Sequence, residues 1–139
     1  MARRVVLFWL RFGLLSDDIA AVKPSSAKSK GRALQKYVAA RIQEVFGLPE
    51  TDVVSRPMGS GGRDIMLSDR ALKALPVSFE VKNTKVFPGL SALEQSAYNA
   101  GEHAPVVAWK PPGKGMEKTL VYMDLEMFLH FVKRHCRRS

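Results

Sequence analysis

Apolar residues recur along this chain with two periods, and the places where one period gives way to the other mark its elements. From Ser29 to Phe46 the positions Ala33, Leu34, Tyr37, Val38, Ile42, Val45 and Phe46 return every three or four residues, the spacing of one helix face. Gly47 is placed to end that helix. Shorter apolar runs follow at Val53–Arg56, Ile65–Leu67, Val77–Asn83, Pro105–Lys110 and Thr119–Met123, and each reads as a strand. The last two are expected to be neighbours, with Pro105–Lys110 buried. Ser68–Leu75 predicts a short helix or a wide turn that Pro76 stops. Ser91-Ala92-Leu93-Glu94 has capping-box spacing and predicts a helix to about Ala100. Asp124 is a candidate cap for a final helix from Leu125 to about His135, with Leu125, Phe128, Leu129 and Val132 as its expected core face. Helix, strands, helix, strand, strand, helix predicts a single α/β domain with a central mixed β-sheet flanked by helices.

The ends fit this pattern less well. Residues 1–28 read as an N-terminal arm and linker, 29–135 as the folded domain, and 136–139 as a basic tail. The arm resembles an export signal, but Arg11 interrupts its short apolar run and no small-residue cleavage pattern follows. The expectation is therefore a cytoplasmic protein with no membrane segment.

With 139 residues and 46% hydrophobic content, the chain can bury a core of its own. Its formal net charge of +9 calls for an acidic partner, of which nucleic acid is the commonest for a small basic domain. A merely soluble basic protein is the alternative. Residues 60–109 balance Arg63, Arg70, Lys73, Lys82 and Lys85 against Asp64, Asp69, Glu80, Glu94 and Glu102, so the excess charge lies in the flanks. A locally acidic site inside a basic rim is the arrangement needed to hold both a cation and a polyanion. The single cysteine, Cys136, excludes an internal disulfide, and His130, His135 and Cys136 match no structural zinc spacing.

The chemistry centres on Glu80-Val81-Lys82. Residues two apart on a strand share a face, so Glu80 and Lys82 are expected to project together while Phe79 and Val81 bury on the other side. A carboxylate that binds a divalent cation, beside a lysine that offsets transition-state charge, suits a metal-dependent nuclease. Asp64 follows the glycine turn Gly61-Gly62 and opens the Ile65–Leu67 strand, which makes it the natural second ligand. The Ser60–Gly62 turn is equally compatible with an ordinary hairpin and with a phosphate-contacting loop.

Asp64, a spacer and Glu80-Val81-Lys82 resemble the PD-(D/E)XK nuclease superfamily. With Ser29–Arg32 opening a helix, Ser60-Gly61-Gly62 ahead of the first acid, and Glu94-Gln95 on the next helix, the chain resembles archaeal-type Holliday junction resolvases over roughly residues 29–132. The resemblance implies a restriction-endonuclease-like core and a structure-selective endonuclease that makes paired nicks in four-way DNA junctions. It also implies Mg²⁺, with Mn²⁺ as a substitute, held by Asp64, Glu80 and the Val81 carbonyl, and catalytic roles for Asp64, Glu80, Lys82 and Gln95. Where that family commonly has a glutamate on the first helix this chain has Gln35, an accessory candidate together with Ser60. Lys30, Arg32, Arg56, Arg63 and Lys85 are the expected DNA contacts. Another nuclease of the superfamily and a non-catalytic DNA-binding module are the competing readings.

A homodimer is expected as well, because the two-fold symmetry of a junction calls for paired sites. The apolar run Val5–Leu10, with Phe8 and Trp9, is one candidate contact; a sheet edge or the helix at 91–100 is the other. Asn83–Leu90 is expected to be a mobile loop over the site.

Overall fold

The computed structural model of the protein describes residues 27–57 and 59–136. The expectations for Val5–Leu10 and for most of the arm lie outside the described residues, as do those for the tail beyond Cys136. Helix α1 (Ala27–Phe46) takes Ala27 and Lys28 from the expected linker. It ends as predicted: Gly47 adopts φ +62°, and the Leu48 amide donates to the Gln43 carbonyl at 2.9 Å, which closes the last turn. Strands β1 (Val53–Ser55) and β2 (Ile65–Leu67) pair antiparallel, with Val53 opposite Leu67. Helix α2 (Asp69–Ala74) is capped by Ser68, whose hydroxyl accepts from the Ala71 amide.

Strand β3 (Val77–Lys82), helix α3 (Gly89–Ala100) and strand β4 (Ala104–Trp109) form a βαβ unit, with β3 and β4 parallel from Val77↔Ala104 to Lys82↔Trp109. After a 3₁₀ turn at Met116–Lys118, strand β5 (Leu120–Tyr122) pairs antiparallel with β4, and helix α4 (Leu125–Cys136) follows. The sheet order β3-β4-β5 is mixed and helices flank it, which is the α/β architecture expected from the sequence. The β1-β2 hairpin forms a separate small sheet set against β3.

The main core lies between α1 and the sheet. Leu34, Val38 and Ile42 of α1 pack with Val53, Ile65, Phe79, Val81, Val106 and Ala108. A smaller cluster, Ala92 and Leu93 with Val107, seals the sheet against α3. The Ser96 hydroxyl lies 2.9 Å from the Ser78 carbonyl and 3.1 Å from the Val106 carbonyl, so α3 is also tied to both parallel strands.

Four local expectations are corrected. The central strand does not alternate between buried and exposed faces: residues from Val77 to Val81 are all buried, because α1 covers one face and α3 the other. Helix α3 starts two residues early, behind Pro88, with no side-chain cap; the Ser91 hydroxyl donates to the Pro88 carbonyl, so the capping box does not form. The loop after β3 is fastened. Phe87 packs edge-on to Trp109 and against Tyr122, the Trp109 indole N–H donates to the Thr84 carbonyl, and the Tyr122 hydroxyl donates to the Gly89 carbonyl. Finally, the expected core face of the last helix points to solvent. Asp124 does cap α4 through the Met127 amide, but Met127 and Phe131 are the side chains that pack inward. Leu125, Phe128, Leu129 and Val132 are exposed. The spacing correctly predicted an apolar face, and tertiary packing chose a different one to bury.

Candidate active site

The site is assembled on the free edge of β3, opposite its pairing with β4. Asp64 links the hairpin to this edge through its own backbone. Its carbonyl accepts from the Arg56 amide at 2.8 Å, and its N–H donates to the Phe79 carbonyl at 3.2 Å. The Asp64 side chain continues the ladder, with Oδ2 accepting the Val81 N–H at 2.7 Å. Two hydrogen bonds to residues on either side of Glu80 therefore fix the first carboxylate beside the second.

Glu80 is only 3% exposed, and the Lys82 ammonium lies 2.8 Å from its Oε1. The shared face expected for the E-x-K pair is thus present. Lys82 also donates to Gln95 Oε1 at 3.1 Å, which brings α3 to the same point. Burial raises the pKa of Glu80; the Lys82 hydrogen bond opposes that shift and the nearby Asp64 charge reinforces it. Asp64 is raised too, chiefly by burial, with the Val81 amide, Lys82, Arg56 and the Gln35 amide pulling the other way. Two carboxyls that each resist ionisation, set close enough to feel each other's charge, form a site that gains from a bound cation.

Gln35 completes the inner group. It sits on α1 at 4% exposure, its amide hydrogen-bonds Asp64, and its Oε1 has no hydrogen-bond partner. An unmatched buried carbonyl oxygen costs about 1–3 kcal/mol, so its persistence beside two acids points to an oxygen donor awaiting a partner. No cluster of three or more His, Cys, Asp or Glu residues occurs among the described residues. The donors present are two carboxylates and one amide oxygen, a hard, oxygen-only set that fits Mg²⁺ or Mn²⁺ and not zinc. Val81 enters the site through its N–H to Asp64.

The peripheral candidates separate into two groups. Lys30, Arg32 and Lys85 are exposed, and the Lys30 carbonyl accepts from the Asn83 side chain at 3.2 Å, which holds the start of α1 next to the end of β3. Arg56 Nε donates to the Arg63 carbonyl at 2.9 Å, and its charge acts on Asp64. Gly62 has φ +83°, a conformation that favours glycine, and a Cβ there would lie 3.2 Å from the Arg56 guanidinium carbon and press on that side chain. Arg63 and Ser60 are engaged elsewhere. Arg63 donates to the Asn99 and Ala100 carbonyls at 2.9 and 2.7 Å and approaches His103 Nδ1 at 3.3 Å, closing the C-terminus of α3. The Ser60 hydroxyl donates to the Pro57 carbonyl inside its own turn.

Sequence reasoning missed the Phe87-Trp109-Tyr122 group that anchors the loop leaving the site. The only signal for it was an aromatic residue inside a Pro/Gly-flanked loop, where no periodicity speaks. Among the described residues, no helix is long and apolar enough to cross a membrane. No family model, curated protein or solved structure matches the chain.

Proposed function

We propose that the protein is a Mg²⁺-dependent structure-selective DNA endonuclease, a Holliday junction resolvase that nicks four-way junctions as a homodimer. The observation that carries this reading is the pair of carboxylates, Glu80 buried and Asp64 partly buried, fixed on one strand edge with the Lys82 ammonium 2.8 Å from Glu80. A buried carboxylate beside a second, partly buried one costs stability, which a bound cation would offset.

Asp64, Glu80 and the Gln35 carbonyl oxygen would hold the metal ion, with the Val81 carbonyl as a further oxygen donor. When bound, the ion activates water and polarises a phosphodiester. Lys82 is placed to offset charge that develops on the phosphate, and Gln95, through its hydrogen bond, keeps the ammonium oriented. The Val81 amide fixes the rotamer of Asp64. Lys30, Arg32, Lys85 and Arg56 supply the basic rim that would meet the DNA backbone. Arg63 plays a structural part.

The test is cleavage of a labelled four-way junction and of a linear duplex of the same sequence, with Mg²⁺ and with excess chelator. Symmetric nicks in the junction alone, lost with chelator, are the expected result. Equal cutting of the linear duplex would assign the site to another nuclease of this chemistry, and binding without cutting would make the protein a DNA-binding module.

A further inference from the structure

We infer that α4 is a self-association surface, and that it pairs antiparallel with α4 of a second copy of this chain. Leu125, Phe128, Leu129 and Val132 are 66%, 49%, 49% and 37% exposed, and their 3-1-3 spacing places them on one face of the helix. Four large apolar side chains in a row on a charged protein mark a contact surface, where scattered ones would not. The inward side of α4 is lightly held. Met127 and Phe131 reach the core, yet a cleft of about 800 Å³ remains beneath the helix, bordered by Leu72, Pro76 and His103.

The pattern on α4 selects its occupant. A 3-1-3 spacing reads the same in both directions, so an antiparallel copy sets Leu125 against Val132 and Phe128 against Leu129 across a two-fold axis. The charges agree: the helix begins with Asp124 and Glu126 and ends with Lys133 and Arg134. Antiparallel pairing brings each acidic end to a basic end, whereas parallel pairing opposes like charges. Residues 1–15 carry Arg3, Arg4 and Arg11 with no acid, and so lack this complementarity. This inference gives the proposed homodimer a named surface and depends on that part of the functional reading alone.

Light scattering on the full chain should give twice 15.5 kDa. Phe128→Lys should give a monomer whose melting temperature matches that of the wild type at concentrations low enough to keep both monomeric, since the residue is exposed. In a Cys136→Ser background, Leu129→Cys should form a disulfide-linked dimer rapidly because it lies near the two-fold axis, while Leu125→Cys, which faces Val132, should not link to its own copy. Glu126→Lys or Lys133→Glu alone should weaken the dimer about fivefold, and the double exchange should restore it. A monomeric full-length protein would overturn the inference, as would a dimer indifferent to Phe128→Lys or efficient self-linking by Leu125→Cys. Mass is read without DNA or metal, so failure here and failure of the nuclease reading are distinguishable.

Discussion

Strand β3 and helix α4 break the ordinary sorting of side chains in opposite directions. On β3, Glu80 is buried to 3% exposure in the middle of an otherwise uncharged buried run. On α4, four large apolar residues face solvent. Each arrangement costs stability in the isolated chain, β3 by desolvating a carboxylate and α4 by hydrating hydrocarbon. What relieves the cost differs. Under the proposed function a small cation held by Asp64 and Glu80 would offset the first cost, and under the inferred pairing a second copy of the chain would cover α4. The contrast teaches that a misplaced charge inside points to chemistry, and a misplaced apolar stripe outside points to assembly.

The sharpest way to break this contrast is to neutralise the two site acids. Asp64→Asn or Glu80→Gln should reduce junction cleavage to background while DNA binding, read by gel shift in the presence of Mg²⁺, survives. Retained cutting by either variant would remove the metal reading of β3. Lys82→Ala should lower the single-turnover cleavage rate by about 10²–10³, the scale for one electrostatic donor to a transition state. A loss under about tenfold would make Lys82 only the counter-ion of Glu80.

On α4 the two faces should respond differently to truncation. Phe131→Ala, on the packed side, should cost roughly 2–3 kcal/mol in urea unfolding, below the usual range for a fully buried phenylalanine because Phe131 is partly exposed. Phe128→Ala should stay within about 0.5 kcal/mol when measured at concentrations low enough to keep the chain monomeric. Equal costs would mean that the outer face is covered within the monomer.

The smallest expected effect concerns pH. Both site carboxyls have raised pKa values, so each holds its proton more tightly in the folded chain than in the unfolded one. Their contribution favours the fold below the ordinary carboxylate range and is lost as pH rises through the raised values. In chelator, Asp64→Asn should therefore melt higher than the wild type at pH 7, and the gap should close as pH falls into the ordinary carboxylate range. Added Mg²⁺ should raise the melting temperature of the wild type and leave that of the variant nearly unchanged. A gap independent of pH would show that the carboxylate charge is not its source.

Most elements could be read in the chain because their signals are local. Gly47 ends α1 with a positive φ, Ser68 and Asp124 cap their helices through neighbouring amides, and the E-x-K spacing on a strand sets Glu80 and Lys82 on one face. Such features depend on residues within four positions of one another, where backbone geometry leaves few choices. The capping box at Ser91 and Glu94 failed even so, because Tyr122 holds the Gly89 carbonyl and the loop before α3 is bound to Trp109. Tertiary contacts of that kind set the helix start two residues earlier.

The sequence by itself determined the element order, the α/β class and the identity of the two acids, since periodicity and strand pleat are short-range consequences of chain geometry. Only the tertiary structure decided what those residues face. It buried Glu80, joined Asp64 to the Val81 amide, left Gln35 with an unmatched oxygen, and committed Arg63 to the end of α3 thirty-six residues away. It also turned the Leu125–Val132 stripe outward. An amphipathic pattern states that one face of a helix must leave water; which neighbour covers it depends on the positions of elements distant in sequence, and no local spacing encodes them.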